Sequence, residues 1–337
     1  MRLAIELADA GLIALPEEGE VAAPSPGIAI VDGETITVGS EASARARLTP
    51  RRSHTRFWQD ISTAALGRPF PRQLRSADLA WTHLSEIWNR TGRGVSSVIL
   101  ALSDGRSEDQ LGLILGVARS AGLPVDGLVN AAVAASVGHH GDRPFLHLDL
   151  ELHRAVLTIG EPGPRRRSAV ISDRVGLTVL HDTWLRLAAG LFLKQTRFDP
   201  FHSAASEQAL FDRLPAILGQ LGRRPSTTVT LAADQKTFSI DLGCDLVETA
   251  AETHYRAVDE LVRSALTHGP DRILLTARAA AMPGLTGRLA SLTELEVIEL
   301  PLAAAAAGAH QRAGRIVTRG EALPLVTDLS EPVRHAN

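Results

Sequence analysis

The sequence predicts a mixed α/β fold organised as two lobes, and three observations carry that expectation. Groups of short apolar strands alternate with helices along the chain, the pattern of α/β architecture. The 337 residues point to two units, at about 100–200 residues per domain. Hydrophobic residues make up 45% and charged residues 22%, an ordinary globular composition able to bury a sizeable core.

The elements follow in order. Residues 2–7 and 11–15 read as short strands around a turn at 8–11. GIAIV and TITVG then flank Asp32-Gly33-Glu34, a hairpin signal. Ser40 is placed to cap a helix over 40–47. Residues 49–75, rich in arginine and proline, read as loop or short helix. Residues 76–91 set Leu79, Leu84, Ile87 and Trp88 near one helical face. A buried strand over 95–103 leads to a helix over 107–122, with Ser107 as N-cap and Gly122 just past its end. Residues 126–138 read as another helix. Strands cover 145–159 and 167–172, and a long apolar helix spans 177–194 until RFDPFHS breaks it. In the next helix, 204–221, Pro215 lacks an N–H and is expected to kink the helix or end it near Leu214. A hairpin over 227–242, an amphipathic helix over 248–266, strand 272–277, helix 284–292, strand 295–300 and an alanine-dominated helix 302–314 complete the alternation.

Charge and composition narrow the function classes. The formal net charge of −3 gives no electrostatic reason to expect a nucleic-acid partner. Arg165, Arg166 and Arg167 read as a solvated loop tip. Cys244 is the sole cysteine, so no intrachain disulfide forms, which suits a reducing, cytoplasmic setting. Glu6 and Asp9 argue against a signal peptide at the start of the sequence. No apolar run approaches the ~20 residues of a membrane span. His139 and His140 read as loop residues, and His147 and His153 as residues on strand faces; their spacing is not a zinc pattern.

Five stretches, in order, resemble the ATPase domain of DnaK-type heat-shock chaperones, within the actin-like superfamily. They are the opening hairpin with the segment ending ITVGSEASARARLTPRRSHTRFWQDIS, then VILALSDGRSEDQLGLILGVARSAGLPVDGLVNAAVAAS, LHLDLELHRAVLTI, the span 227–266, and RILLTARAAAMPGLTGRL followed by VIELPLAAAAAGAHQ. The second is the most specific, similar to the family's run through "EPtAAA". Together they cover most of residues 1–315. The resemblance implies an actin-like two-lobed ATPase-domain fold with a ribonuclease-H-like sheet in each lobe. Lobe I would span 1–142, with the helix at 302–315 returning to it. Lobe II would span 143–300 with a small insertion at about 199–247. Residues 316–337 would form a tail, in which RIVTRGEALPLVTDLS resembles the chaperones' interdomain linker and Ala322 to Val326 form an apolar run.

The phosphate chemistry that the resemblance implies is altered. In the family, two hairpin turns turn glycine N–H groups toward the phosphates, and an acid beside each turn holds Mg²⁺ through water. Here Glu6 stands at the first acid, and Ala8 and Asp9 replace the turn that follows. Asp149 matches the second acid, but Glu151, Leu152 and His153 replace its glycines. The glycine pair against which adenosine lies becomes Ala277 and Arg278. The family's "EPtAAA" acid becomes Asn130. Asp60 falls about where the family has its water-orienting lysine; only Lys194 and Lys236 exist in the chain, and a guanidinium such as that of Arg56 is not equivalent. The expectation is therefore a chaperone-ATPase-like protein without a peptide-binding domain, a non-hydrolysing pseudo-ATPase with no cofactor that acts on an unknown protein partner. The alternative is a divergent ATPase that binds ATP and Mg²⁺ through the altered turns.

Overall fold

A computed structural model describes residues 1–139, 141–233, 235–318, 320 and 323–330. The α/β class holds. β1 (Arg2–Leu7) and β2 (Ile13–Pro16) form the opening hairpin. β3 (Ala29–Asp32) and β4 (Thr35–Val38) form the second, with Gly33 at φ +64 in its two-residue turn, where a side chain would be strained. Then come α1 (Gly39–Ser43), the short β5 (Ser53–His54) beside β3, α2 (Ser76–Thr91), β6 (Ser97–Leu102), α3 (Glu108–Ser120), β7 (Val125–Asn130) and α4 (Ala131–Ala135). The second half runs β8 (Phe145–Leu150), β9 (Ala155–Glu161), β10 (Arg165–Ser172), α5 (Leu177–Thr196), α6 (Ala204–Leu221), β11 (Ser226–Ala233), β12 (Lys236–Gly243) and α7 (Cys244–Ala265). It continues with β13 (Arg272–Leu275), α8 (Ala277–Ala280), α9 (Leu285–Leu292), β14 (Glu296–Glu299), α10 (Ala304–Gln311), α11 (Ala313–Ile316) and β15 (Leu325–Val326).

Two five-stranded sheets dominate. The first has the order β15-β7-β6-β1-β2 and the second β10-β9-β8-β13-β14. Each couples an antiparallel hairpin (β1 with β2, β8 with β9) to two parallel strands (β6 and β7, β13 and β14). Both faces of the central strands are covered, so β1, β6 and β8 are almost wholly buried, whereas the edge strands β10 and β14 carry exposed charges. Leu3, Ile5 and Leu7 face a core with α2 and α3, and Leu146, Leu148 and Leu150 face a core with α5, α6 and α7. The opposite faces, through Ala4 and Phe145, share a third core in which α4 and α10 lie between the sheets. These two alanine-rich helices touch closely: a Cβ on Gly308 would stand 1.8 Å from the Ala134 carbonyl oxygen.

Several sequence expectations are corrected. Ser40 lies inside α1 and does not cap it; Val38 is the N-cap residue, without a side-chain bond. Residues 126–138 do not form one helix. β7 pairs with β6 up to Asn130, whose side-chain oxygen then caps α4 by accepting from the Val133 N–H at 3.1 Å. β7, VDGLVN, is buried except at Asp126 and lacks the alternation of a half-exposed strand, so its pattern does not set it apart from the helix that follows. Pro215 does not end α6, which runs on to Leu221 because Leu214, Ile217, Leu218 and Leu221 hold it on the core while Pro215 faces outward. His153 lies in the turn between β8 and β9, not on a strand face. By contrast Ser107 caps α3 as expected, accepting from Gln110 N–H at 3.2 Å while the Gln110 side chain accepts from the Ser107 N–H at 3.1 Å.

The tail packs on the rest of the chain. Leu325 and Val326 pair in parallel with Leu128 and Val129, extending the first sheet. The Arg166 N–H then donates to the Thr327 carbonyl (2.9 Å), the Leu329 N–H donates to the Pro164 carbonyl (2.9 Å), and Leu329 is fully buried. Its strand joins the first sheet, and its end reaches the β9–β10 turn. Ala322 and His140 lie outside the described residues.

Candidate functional site

Strand parity brings the site together. Successive side chains alternate faces, so Glu6 follows Ala4, and Asp149 follows Phe145 and His147, onto the faces between the sheets. The turn after β6 and the start of α8 enter the same space from the C-terminal ends of parallel strands, where open α/β sheets collect functional groups.

Arg278, in the first turn of α8, lies between the two acids. Its Nε donates to Asp149 Oδ1 (2.6 Å), and its Nη2 donates to Asp149 Oδ2 (2.7 Å) and Glu6 Oε1 (3.1 Å). Thr276, which also caps α8, donates to Asp149 Oδ1 at 2.9 Å. Burial acts to raise the Asp149 pKa, but the Arg278 charge and hydrogen bonds outweigh it and hold Asp149 below its ordinary value. Burial dominates at Glu6 and lifts its pKa, with Arg278 opposing and Asp149 reinforcing. The fork is bidentate and charge-assisted, the strong form of such a pair. His147 is 4% exposed and its Nε2 has no hydrogen-bond partner; burial lowers its pKa against the pull of Asp149.

Asp9 is 1% exposed and makes a second link across the sheets: its Oδ1 accepts the Leu152 N–H at 2.8 Å. Burial, with Glu151 nearby, pushes its pKa up to about 7. Glu151 accepts from Ser103 and from Arg154 Nε. Asp104 accepts from Thr158 (2.6 Å) and Arg166 Nε (2.5 Å), while its carbonyl accepts from Arg154 Nη2 at 3.2 Å. Gly105, at φ +83, allows this turn to approach; a Cβ there would lie 2.3 Å from Ile171 Cδ1. Arg106 reaches the Trp58 carbonyl (2.8 Å), and burial lowers its pKa although Glu151 and Asp9 favour its charge. A further bridge lies outside this layer: Arg47 pairs with Asp182 and Glu207, its N–H donates to Gln208 Oε1 (2.7 Å), and its guanidinium sits 4.9 Å from the Phe211 ring.

The space left beside Arg278 is a cavity of about 90 Å³, lined by Glu6, His147, Asp149, Thr276 and Ala303 among others. Small-molecule sites usually span about 300–1,000 Å³. A larger opening of about 490 Å³ lies between the end of α6 and residues 277–287. Among the described residues no group of three or more His, Cys, Asp or Glu is placed to hold a metal ion, and no helix is long and apolar enough to cross a membrane.

No protein-family model matches the chain, and no curated protein matches it in sequence. The site residues singled out in the sequence therefore stand on their geometry. Glu6, Asp9, Asp149, Glu151 and Arg278 converge between the sheets. Ala8 is buried beside them, and Ala277 lines both cavities but contributes no polar side chain. Asp60 is exposed, as is Arg56, which bonds Gln59 at 3.3 Å. Sequence reasoning missed Arg106, Arg154, Thr158 and Thr276, saw no nucleophile motif at Ser103 and Asp104, and took Arg166 for a solvated loop tip, whereas it lies on β10 and pairs with Asp104. The available signal was the polar run Ser103-Asp104-Gly105-Arg106 directly after a buried strand. The assembled site holds its charge in a fixed network: one guanidinium sits between the two central carboxylates, bidentate to Asp149 and with a single bond to Glu6.

Proposed function

We propose that the chain is an actin-like, two-lobed protein of the chaperone-ATPase type whose nucleotide cleft is filled by its own side chains, and that it acts through protein–protein contacts without hydrolysing ATP. Residues 1–142 with 302–315 would be one lobe and 143–300 the other, the latter carrying an insertion near 199–247. The matched hairpin-plus-two-strand connectivity of the two sheets supports this reading. One observation carries it: Arg278 lies between Glu6 and Asp149, while the Asp9 carboxylate takes the Leu152 N–H. In the resembling family those acids face Mg²⁺ and that turn faces phosphate. Here an internal cation and an internal anion answer the same partners. The residues present do not fit a magnesium–nucleotide complex, because Arg278 opposes a cation and Asp9 and Glu151 oppose a triphosphate.

Isothermal titration with ATP and ADP, with and without Mg²⁺, tests this. The expected result is no saturable heat and no phosphate release above background. Mg²⁺-dependent binding that Asp149→Ala abolishes would overturn it. One observation favours the second reading, a divergent nucleotide binder: the opening of about 490 Å³ is lined by Ala277, one of the two residues at which the resemblance puts adenosine. Titration with adenosine alone separates the two, since only the second reading expects it to bind.

A further inference from the structure

We propose that the small sheet formed by β3, β4 and β5, with the loops around it, binds an acidic segment of a partner protein. This deepens the reading that the chain works through contacts, and it names the chemistry of the contact. The charge distribution is the first observation. Eight arginines against one aspartate give residues 45–75 a formal +7, which leaves −10 on the rest of a chain whose total is −3. The net charge alone hides this asymmetry.

Geometry is the second. A groove of about 430 Å³ opens on this face, bounded by Arg51 and Arg52 on one side and by Pro69, Phe70 and Pro71 on the other. Arg68 and Arg72 flank that proline–phenylalanine wall in sequence. Arg51, Arg68 and Arg72 are exposed. Asp32, also in the groove, pairs with Arg52 at 2.7 Å. No hydrogen bond or ion pair engages Arg51, Arg68 or Arg72 among the described residues. Guanidinium groups grip carboxylates in bidentate fashion, and the half-buried Phe70 between two prolines offers an apolar seat for a neighbouring side chain.

Charge complementarity selects a polypeptide over a nucleic acid. A long polyanion running past the basic face meets the −10 of the remainder, whereas a short acidic segment does not. Single-stranded nucleic acid also calls for a series of exposed aromatic rings on which successive bases stack, and the groove lining holds one aromatic residue.

The test is fluorescence anisotropy with the full chain and a fluorescein-labelled dodecapeptide of four Glu-Glu-Leu repeats. Saturable binding is expected, weakening between 0.1 M and 1 M salt as the Debye length falls from about 10 Å to about 3 Å. Arg51→Glu/Arg72→Glu should lower affinity about tenfold or more, while Arg93→Glu/Arg186→Glu, the same charge change elsewhere, should leave it within about twofold. Should the first pair melt below the wild type, Arg51→Gln/Arg72→Gln serves in its place with the same expectation. Absence of saturable binding overturns the proposal. So does an equal loss in both double variants, or tighter binding of a twelve-residue oligothymidylate. Nucleotide titration reads a separate site, so ATP binding would refute the filled cleft and leave this result standing.

Discussion

Replacing Arg278 by alanine removes the one cation between Glu6 and Asp149 and leaves two buried carboxylates facing each other. Breaking a buried pair by deleting one partner costs about 3–5 kcal/mol, because the remaining charge keeps its desolvation penalty without compensation. For 337 residues at about 2.1 cal/mol/K per residue, the unfolding entropy is about 0.7 kcal/mol/K, so Tm should fall by about 4–7 °C at pH 7.5. The loss has a signed pH dependence. In the wild type the Asp149 pKa is depressed, so its contribution is present above the unfolded value and is lost as pH falls through the folded one. In Arg278→Ala both acids gain raised folded pKa values. Their penalty is then absent below the unfolded values, near pH 4, and grows as pH rises through the folded ones. The gap between variant and wild type should therefore shrink from pH 7.5 to pH 4.5. The triple variant Glu6→Gln/Asp149→Asn/Arg278→Met, which removes all three charges, should recover most of the loss. Differential scanning calorimetry reads each step. A single variant that melts within 1 °C of the wild type at pH 7.5, or a deficit that grows on acidification, refutes the reasoning.

Three further outcomes follow from other contacts. Asp9 has a folded pKa raised to about 7, so its share of stability is complete below about pH 4 and is lost as pH rises through 7; Asp9→Asn should melt above the wild type at pH 8 and level with it at pH 4. Gly308→Ala drives a Cβ into the Ala134 carbonyl oxygen, a backbone atom that cannot swing aside; a loss at the upper end of ~1–3 kcal/mol is expected in urea unfolding, and an unchanged midpoint would show that α4 and α10 separate freely. Leu329→Ala empties a fully buried site at the end of the tail and should cost about 2–5 kcal/mol by the same assay, whereas a near-zero change would mean the tail is not docked.

Elements whose signals are local were legible from the residues alone. The hairpin at Gly33 follows from a glycine that tolerates positive φ, α2 from its amphipathic spacing, and α3 from the Ser107–Gln110 capping box. The resemblance also singled out Glu6 and Asp149 at the positions of the family's two acids, and Asp9, Glu151 and Arg278 as residues at odds with nucleotide binding. What they do instead was not legible, because each bond spans many residues: Arg278 to Glu6 is 272 positions apart and Asp9 to Leu152 is 143. The same limit explains β7, whose buried run reads as strand only once β6 and β15 flank it, and Pro215, whose helix continues because the core holds it on both sides. Local chemistry fixes turns and caps within a few bonds. The pairing of charges across two sheets depends on which strand faces meet, and packing of the three cores decides that.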